Sequence, residues 1–386
     1  MPGRQASRLN ATTLTKLDAQ LRLTAAHNSP MKLGFGLYRH LLDADNFRFA
    51  RQCGATHLVA HLVDYFKDGR NNPTRDQPTG GNEGWGSAGD PHHFWSYEQF
   101  SDLKRAVNAE GLELEAIENF DPAHWHDVLL DGPKKNAQLE NLKGMIRAMG
   151  KAGIPVMGYN FSLAGVACRT KGPYARAGAE AVGMEGIDQT PIPHGMVWNM
   201  VYDRTPSPGH LAFISSDELW RRLEEFLAAI LPVAEEAGVK LALHPDDPPV
   251  EVLRNSPRLV WKPQLYQKLI DLNPSPANNL EYCVGTMAEM VDGDVYQSTE
   301  HYAGLGRIGY VHLRNIRGKV PFYKETFIDE GDIDVHRIIE ILARQGYEGV
   351  IIPDHAPQLH CAAPWHAGMA FAMGYLRACI QGVAAR

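Results

Sequence analysis

The feature that most restricts the fold of this 386-residue chain is an alternation between short apolar runs and amphipathic stretches. "MKLGFGL" (31–37) has strand character, and "DADNFRFARQCG" behind it is helical as far as Gly54. "THLVAHL" (56–62) is a second strand, followed by a Gly/Asn/Pro-rich loop over about 68–92 and the helix "SYEQFSDLKRAVNAEG", with Ser96 as N-cap and Gly111 as stop. "LELEAIE" (112–118) alternates as a strand, "KKNAQLENLKGMIRAMGKAG" is a helix and "IPVMGYNF" (154–161) a fourth strand. Residues 162–214, rich in Gly, Pro and aromatics, break the rhythm and read as an irregular insertion over one end of the fold. The alternation then resumes. "SSDELWRRLEEFLAAILPVAEEAG" opens with a capping box and leads into "VKLALH"; "WKPQLYQKLIDL" leads into "NNLEYC". Helical residues over about 286–304 precede "IGYVHLRN" (308–315), "DIDVHRIIEILARQG" precedes "GVIIPDH" (349–355), and "AGMAFAMGYLRACIQG" is the last helix. Eight strand-then-helix units imply a parallel sheet closed into a (β/α)8 TIM barrel. An open doubly wound sheet would carry a Gly-rich phosphate turn after its first strand, whereas this strand runs into "GLYRHLLDAD". The expected organisation is an N-terminal arm over 1–30 and a single barrel domain over 31–386, with the insertion after strand 4.

Composition removes several function classes. A net charge of −7 and a pI near 6.2 argue against a nucleic-acid backbone as partner, yet leave room for a small anionic substrate held by local arginines. Five cysteines without a CxxC pair point away from a disulfide framework and toward a reducing cytosol. No apolar stretch approaches the length of a membrane span, and the first residues lack the apolar centre of a signal peptide. A cytoplasmic protein is expected. Residues 1–30, with "TTLTKLDAQLRL" weakly helical, suit either an arm of a homo-oligomer or a disordered tail.

A barrel gathers its chemistry at the C-terminal ends of its strands, because all eight converge on one rim. Strand 2 brings His61 and Asp64 there; strand 3 brings Glu118 and Asn119, with His124 and His126 a turn later. Strand 4 brings Tyr159 and Asn160, strand 5 His244 with Asp246 and Asp247, and strand 6 Glu281 and Cys283. Strand 7 ends in His312, Arg314 and Asn315, and strand 8 in Asp354 and His355. His244, Cys283, His312 and Asp354 come from four consecutive strands, about 5 Å apart. Donors on that arc can surround one divalent ion at about 2.1 to 2.3 Å. Two imidazoles, a sulfur and a carboxylate suit Mn²⁺, Fe²⁺, Co²⁺ or Zn²⁺, and suit Mg²⁺ less well. Taken singly, each has a plainer reading: a rim histidine, a buried cysteine, an aspartate in a turn. Pro245, Pro248 and Pro249 end strand 5, and Asp246 and Asp247 either orient a ligand or form a solvated turn.

"LALHPDDPP", "EYCVGT", "VHLRNIRG", "ETFIDEGDID" and "IIPDHAPQ" resemble, in order and spacing, the mannonate dehydratases of hexuronate breakdown. "MGYNF" with the later "CRT" resembles the family's strand-4 segment. The resemblance implies a metal-dependent barrel enzyme of the xylose-isomerase-like group that removes water from D-mannonate to give 2-keto-3-deoxy-D-gluconate. It implies that Mn²⁺ is held by His244, Cys283, His312 and Asp354, and that the Asp354–His355 pair takes part in proton transfer. One departure stands out: the family's tyrosine before the last helix has no counterpart ahead of Tyr375, and Trp365 and His366 occupy that stretch.

Dehydrating a sugar acid calls for a metal, a base, an acid and a carboxylate clamp. His355 is the candidate for one proton-transfer role, since imidazole titrates near neutral pH. Asp354 can share it only if its bond to the ion is loose. His366, Tyr159 and His126 are candidates for the second role, Arg169 and Arg314 for the clamp, and Asn160 and Glu118 for further substrate contacts. Three rival readings use the same scaffold: a metal-dependent sugar isomerase or epimerase, an endonuclease for damaged DNA, and a non-catalytic sugar-acid sensor. Cys283, the acidic charge and the Asp354–His355 pair argue against them in turn.

Overall fold

The computed structural model describes residues 31–68, 79 and 84–384; the expected N-terminal arm over 1–30 lies outside them. Eight parallel strands close into a barrel: β1 (Lys32–Leu37), β2 (His57–His61), β3 (Glu113–Glu118), β4 (Val156–Tyr159), β5 (Lys240–Leu243), β6 (Asn278–Cys283), β7 (Ile308–Leu313) and β8 (Val350–Pro353). Each pairs with its sequence neighbour, and β8 pairs with β1. The TIM barrel read from the alternation is therefore the observed fold.

The surrounding helices are α1 (Ala44–Gln52), α2 (Tyr97–Ala109), α3 (Pro122–Leu130), α4 (Lys135–Ala152), α5 (Ser216–Ala237), α6 (Gln264–Leu272), α7 (Val284–Glu289), α8 (Val295–Gly304), α9 (Val335–Arg344) and α10 (Pro364–Ala384). Their ends follow local chemistry. The Ser96 hydroxyl accepts from the Gln99 N–H while the Gln99 side chain accepts from the Ser96 N–H, a reciprocal cap for α2. Gly153 and Gly238 end α4 and α5 in the left-handed conformation, at φ +70° and +68°. None of the helices among the described residues is long and apolar enough to cross a membrane.

Period-two alternation sorts the strand side chains into two cores. The outward set packs against the helices in one extensive apolar layer. The inward set fills the lumen with Val59, Ala116, Val156, Ala242, Tyr310, Val350 and Ile352. Counting two residues further toward the C-terminal end of each strand gives His61, Glu118, Gly158, His244, His312 and Asp354. The rim chemistry is thus the next layer of the same stack.

The insertion differs from its reading as irregular chain. Arg169–Ala175 and Ala179–Glu185 form an antiparallel hairpin within it. A second hairpin, Asn315–Lys319 with Phe322–Thr326, follows β7, and Phe322–Thr326 pairs with Ala179–Glu185. The four strands make an accessory sheet built from two distant segments of the chain. These strands are short, and glycine interrupts three of them, so they carry little periodicity to read. Helix α3 was likewise not anticipated; it is almost wholly buried and shows no amphipathic stripe.

Gly158 shows how tightly the lumen is filled. A Cβ there would collide with the Tyr310 hydroxyl and a Glu281 carboxylate oxygen. Gly158→Ala is expected to cost about 1–3 kcal/mol through overpacking. A urea unfolding midpoint equal to the wild type's would show that the lumen has slack here.

Candidate metal centre and active site

Backbone register sets the centre. Cys283 of β6 lies directly beside His312 of β7, and the His244 N–H donates to the Tyr159 carbonyl at 2.9 Å, extending β5 by one residue. The result is a cluster in which a donor atom from each of His244, Cys283 and His312 lies within 4.8 Å of the others. Asp354 joins its edge, with Oδ1 3.6 Å from His312 Nδ1 and Oδ2 3.6 Å from Cys283 Sγ. His312 Nδ1 is buried without a hydrogen-bond partner among the described residues. An orphaned buried imidazole nitrogen facing a sulfur and a carboxylate fits a divalent ion, and the mixed donor set fits Mn²⁺, Fe²⁺, Co²⁺ or Zn²⁺ chemically. Glu118 and Glu281 form a second donor group with His312.

Arg314 organises the anions. Its guanidinium is buried, with Nη1 on Asp354 Oδ2 and 3.2 Å from Cys283 Sγ. Nη2 reaches Glu289 at 2.9 Å and Asp247 at 3.1 Å, and Nε stands 3.4 Å from Glu325. Both terminal nitrogens of Arg314, expected as a substrate clamp, are thereby engaged with protein groups, while the residue also lines the cavity. Arg169 is different. It lines the same cavity, and its Nη1 is buried without a hydrogen-bond partner among the described residues, 3.7 Å from Asp247 and 3.8 Å from Glu325.

His355 sits between two acids, with Nδ1 3.1 Å from Glu325 and Nε2 3.1 Å from Asp354. Glu325 was not singled out from the sequence. It lies in "ETFIDEGDID", but its strand belongs to the accessory sheet, which gave no periodic signal. Asp246 and Asp247 do not form a solvated turn. Asp246 accepts from the Leu259 and Val260 N–H groups at 2.7 and 2.8 Å, and Asp247 joins the arginine network.

The remaining expectations divide by strand parity. Glu118 faces inward and contacts His312 Nε2 at 3.2 Å and His61 Nε2 at 3.5 Å. Asn160 lines the cavity and donates to Asn119 at 2.8 Å; Asn119 donates to the Tyr65 hydroxyl at 2.9 Å. Tyr159, one residue out of phase, points away from the lumen into a cluster with Phe226, Phe120 and Trp125. His366 contacts Asn46 at 3.0 Å on the outer side, and His126 stacks on Tyr202 at 4.1 Å. These three, expected as candidates for the second proton-transfer role, do not line the cavity. Trp365, Tyr38, Trp85 and Trp198 give the cavity an aromatic wall instead.

Charge follows geometry. Burial works against ionisation of Asp354, but His355, Arg314 and His312 outweigh it and hold the carboxyl well below the usual range. Asp247 and Glu325 are lowered against the same penalty, by Arg314 and Arg169 at the first and by His355 and Arg314 at the second. Deeper in, burial and the charge of Glu118 push Glu281 upward, while His61 and His312 pull Glu118 down against its own burial. The stability contributed by Asp354, Asp247 and Glu325 is present above the unfolded carboxylate range near pH ~4 and is lost as pH falls through their depressed folded values. Arg314→Met is therefore expected to cost about 3–5 kcal/mol at neutral pH, by leaving buried acids unpaired. The deficit should narrow as acid protonates them. Urea unfolding across pH measures both, and a deficit independent of pH would contradict the network.

The chain resembles known proteins in sequence and in fold. The sequence profile of the D-mannonate dehydratase family matches residues 76–205 and 208–380. A mannonate dehydratase of Streptococcus equi subsp. zooepidemicus is 33% identical over 281 residues, covering 69% of this chain and 76% of the relative. One from Geobacillus thermodenitrificans is 32% identical over 282 residues, covering 68% and 75%. The crystal structure of mannonate dehydratase from Streptococcus suis serotype 2 superimposes with a TM-score of 0.71 at 27% identity, covering 92% of this chain and 95% of that one. L-ribulose 3-epimerase, at 16% identity and a TM-score of 0.55, shares the fold. With the profile spanning well over half of its length, the chain belongs to the D-mannonate dehydratase family.

Proposed function

We propose that the protein removes water from D-mannonate, giving 2-keto-3-deoxy-D-gluconate, with a divalent cation as cofactor. The observation that carries this reading is one cavity lined by Arg169, His355, Asp354, His244 and His312 in a chain of this family. The cation, Mn²⁺ foremost, is held by His244, Cys283, His312 and Asp354 and supplies electrostatic stabilisation of the charge that develops beside the substrate carboxylate. The unsatisfied Nη1 of Arg169 receives that carboxylate, and Asp247 and Glu325 hold the guanidinium in place.

His355 moves the proton. Glu325 fixes the ring through Nδ1, and Nε2, which contacts Asp354 at 3.1 Å, exchanges that contact to take the proton from C2 of the substrate. The C3–O bond breaks, and the hydroxyl leaves as water with the proton that Nε2 carried. The enol then becomes the ketone as its oxygen proton passes to C3. One molecule of water is lost and nothing else is consumed. A single imidazole suffices for both transfers, which suits a site in which Tyr159, His366 and His126 do not line the cavity. The aromatic wall of Tyr38, Trp85 and Trp198 packs the hydroxylated chain and limits water. The same reading puts the protein in the cytoplasm, in hexuronate breakdown, as a homo-oligomer whose partner is a small sugar acid rather than nucleic acid or membrane.

Incubation with Mn²⁺ and D-mannonate, assayed for 2-keto-3-deoxy product, tests the activity. Product from neutral sugars by isomerisation, with none from aldonates, would replace dehydration by the isomerase reading. His355→Gln is expected to keep its Mn²⁺ content, measured by elemental analysis, and to lose about 10²–10⁴-fold in kcat. Near-normal turnover would remove His355 from the chemistry. Arg169→Met should lower kcat/KM by about 10–100-fold, mainly through KM, as expected for one lost charge-assisted contact. An unchanged KM would place the carboxylate elsewhere.

A further inference from the structure

Beneath the proposed metal centre, two glutamates meet one nitrogen of a ligand histidine. His312 Nε2 stands 3.2 Å from Glu118 Oε2 and 3.3 Å from Glu281 Oε1, and all three residues are buried. The other nitrogen, Nδ1, is the buried atom without a hydrogen-bond partner, 3.6 Å from Asp354. An imidazole ring has two edges, and here both are assigned. The edge bearing Nε2 faces the Glu118 and Glu281 carboxyl groups, and a proton on Nε2 is the one that the nearer oxygen, Glu118 Oε2, can accept. The edge bearing Nδ1 faces Asp354 and the sulfur-containing cluster and is the one open to an ion.

We infer that Glu118 is a positioning residue that holds the Nε2–H of His312, with Glu281 packed beside the same nitrogen, so that Nδ1 is the atom presented to the cation. This rests on the reading that the cation sits among His244, Cys283 and His312. The glutamates do not touch the substrate in this role, which reassigns Glu118 from a substrate contact to a support of the metal centre. Three further features fit. His61 contacts Glu118 Oε2 at 3.5 Å and is itself joined to the Tyr65 hydroxyl at 3.0 Å, so the support is anchored to β2 as well as β3. The Tyr310 ring lies against His312 at 5.3 Å, limiting rotation of the imidazole. Gly158 leaves the space that Glu281 and Tyr310 occupy. A carboxylate behind a ligating imidazole fixes its tautomer and raises its affinity for metal.

The test uses the full chain and two readouts apart from turnover. Mn²⁺ titration by calorimetry should show binding about 10–100-fold weaker in Glu118→Ala. Glu118→Gln, whose carbonyl can still accept from Nε2–H, should recover most of that loss. A folded Glu118→Ala protein with wild-type Mn²⁺ affinity would overturn the inference. So would loss of a second, separate cation equivalent in that variant, since the glutamates would then be ligands. If Glu118→Ala does not fold, ¹⁵N-histidine NMR of the Zn²⁺-loaded wild type decides alone. A proton on His312 Nε2 supports the inference, and a proton on Nδ1 overturns it. Failure of the wild type to take up any divalent cation would instead sink the metal centre itself, which keeps the two readings distinguishable.

Discussion

A buried guanidinium surrounded by carboxylates is expensive unless its charge is met on every side, and Arg314 meets that condition with contacts to Asp354, Asp247, Glu289 and Glu325. Each partner comes from a different part of the fold: the end of β8, the loop after β5, helix α7 and the accessory sheet. The side chain reaches them by crossing Gly285, where a Cβ would obstruct it. Removing any one acid changes the balance for the others, so the rim of the barrel behaves as one electrostatic unit. The surrounding acids outnumber Arg314 and Arg169, and a divalent ion beside Asp354 would complement that surplus.

The alternation of strand side chains decides who belongs to the unit. β4 illustrates the point. Gly158 faces the lumen and Tyr159 the helices, so the larger and more chemically suggestive residue is the one without access. On β6, Glu281 and Cys283 share a face, and on β7 so do Tyr310 and His312. The site is thus layered: apolar fill at the bottom, the glutamates and Tyr310 above it, and the mixed donor set at the mouth. Each layer restricts the one above, and this is how Glu118 and Glu281 come to bear on His312.

Much of this was legible from the residues. Strong periodicity over long segments located all eight strands and the barrel, because burial against the helices imposes a pattern on each of them. The grouping of His244, Cys283 and His312 was legible for the same reason, since consecutive parallel strands bring their ends together. Strand parity, applied to "VMGY", would have removed Tyr159 and drawn attention to Glu281, two residues before Cys283 on the same face. Glu325 and the saturation of Arg314 were not legible. Both depend on a sheet whose paired strands are short and separated by more than a hundred residues, and no local pattern announces such a pairing.

That sheet has a consequence for how the family could diversify. Arg169 arrives on a hairpin after β4 and Glu325 on one after β7, and the edge between Phe322–Thr326 and Ala179–Glu185 locks the two together. Neither excursion can be exchanged alone without orphaning a buried charge on the other. Grafting a new specificity onto this scaffold would therefore mean transplanting both hairpins as a matched set, a constraint that single-loop swapping on a barrel would miss.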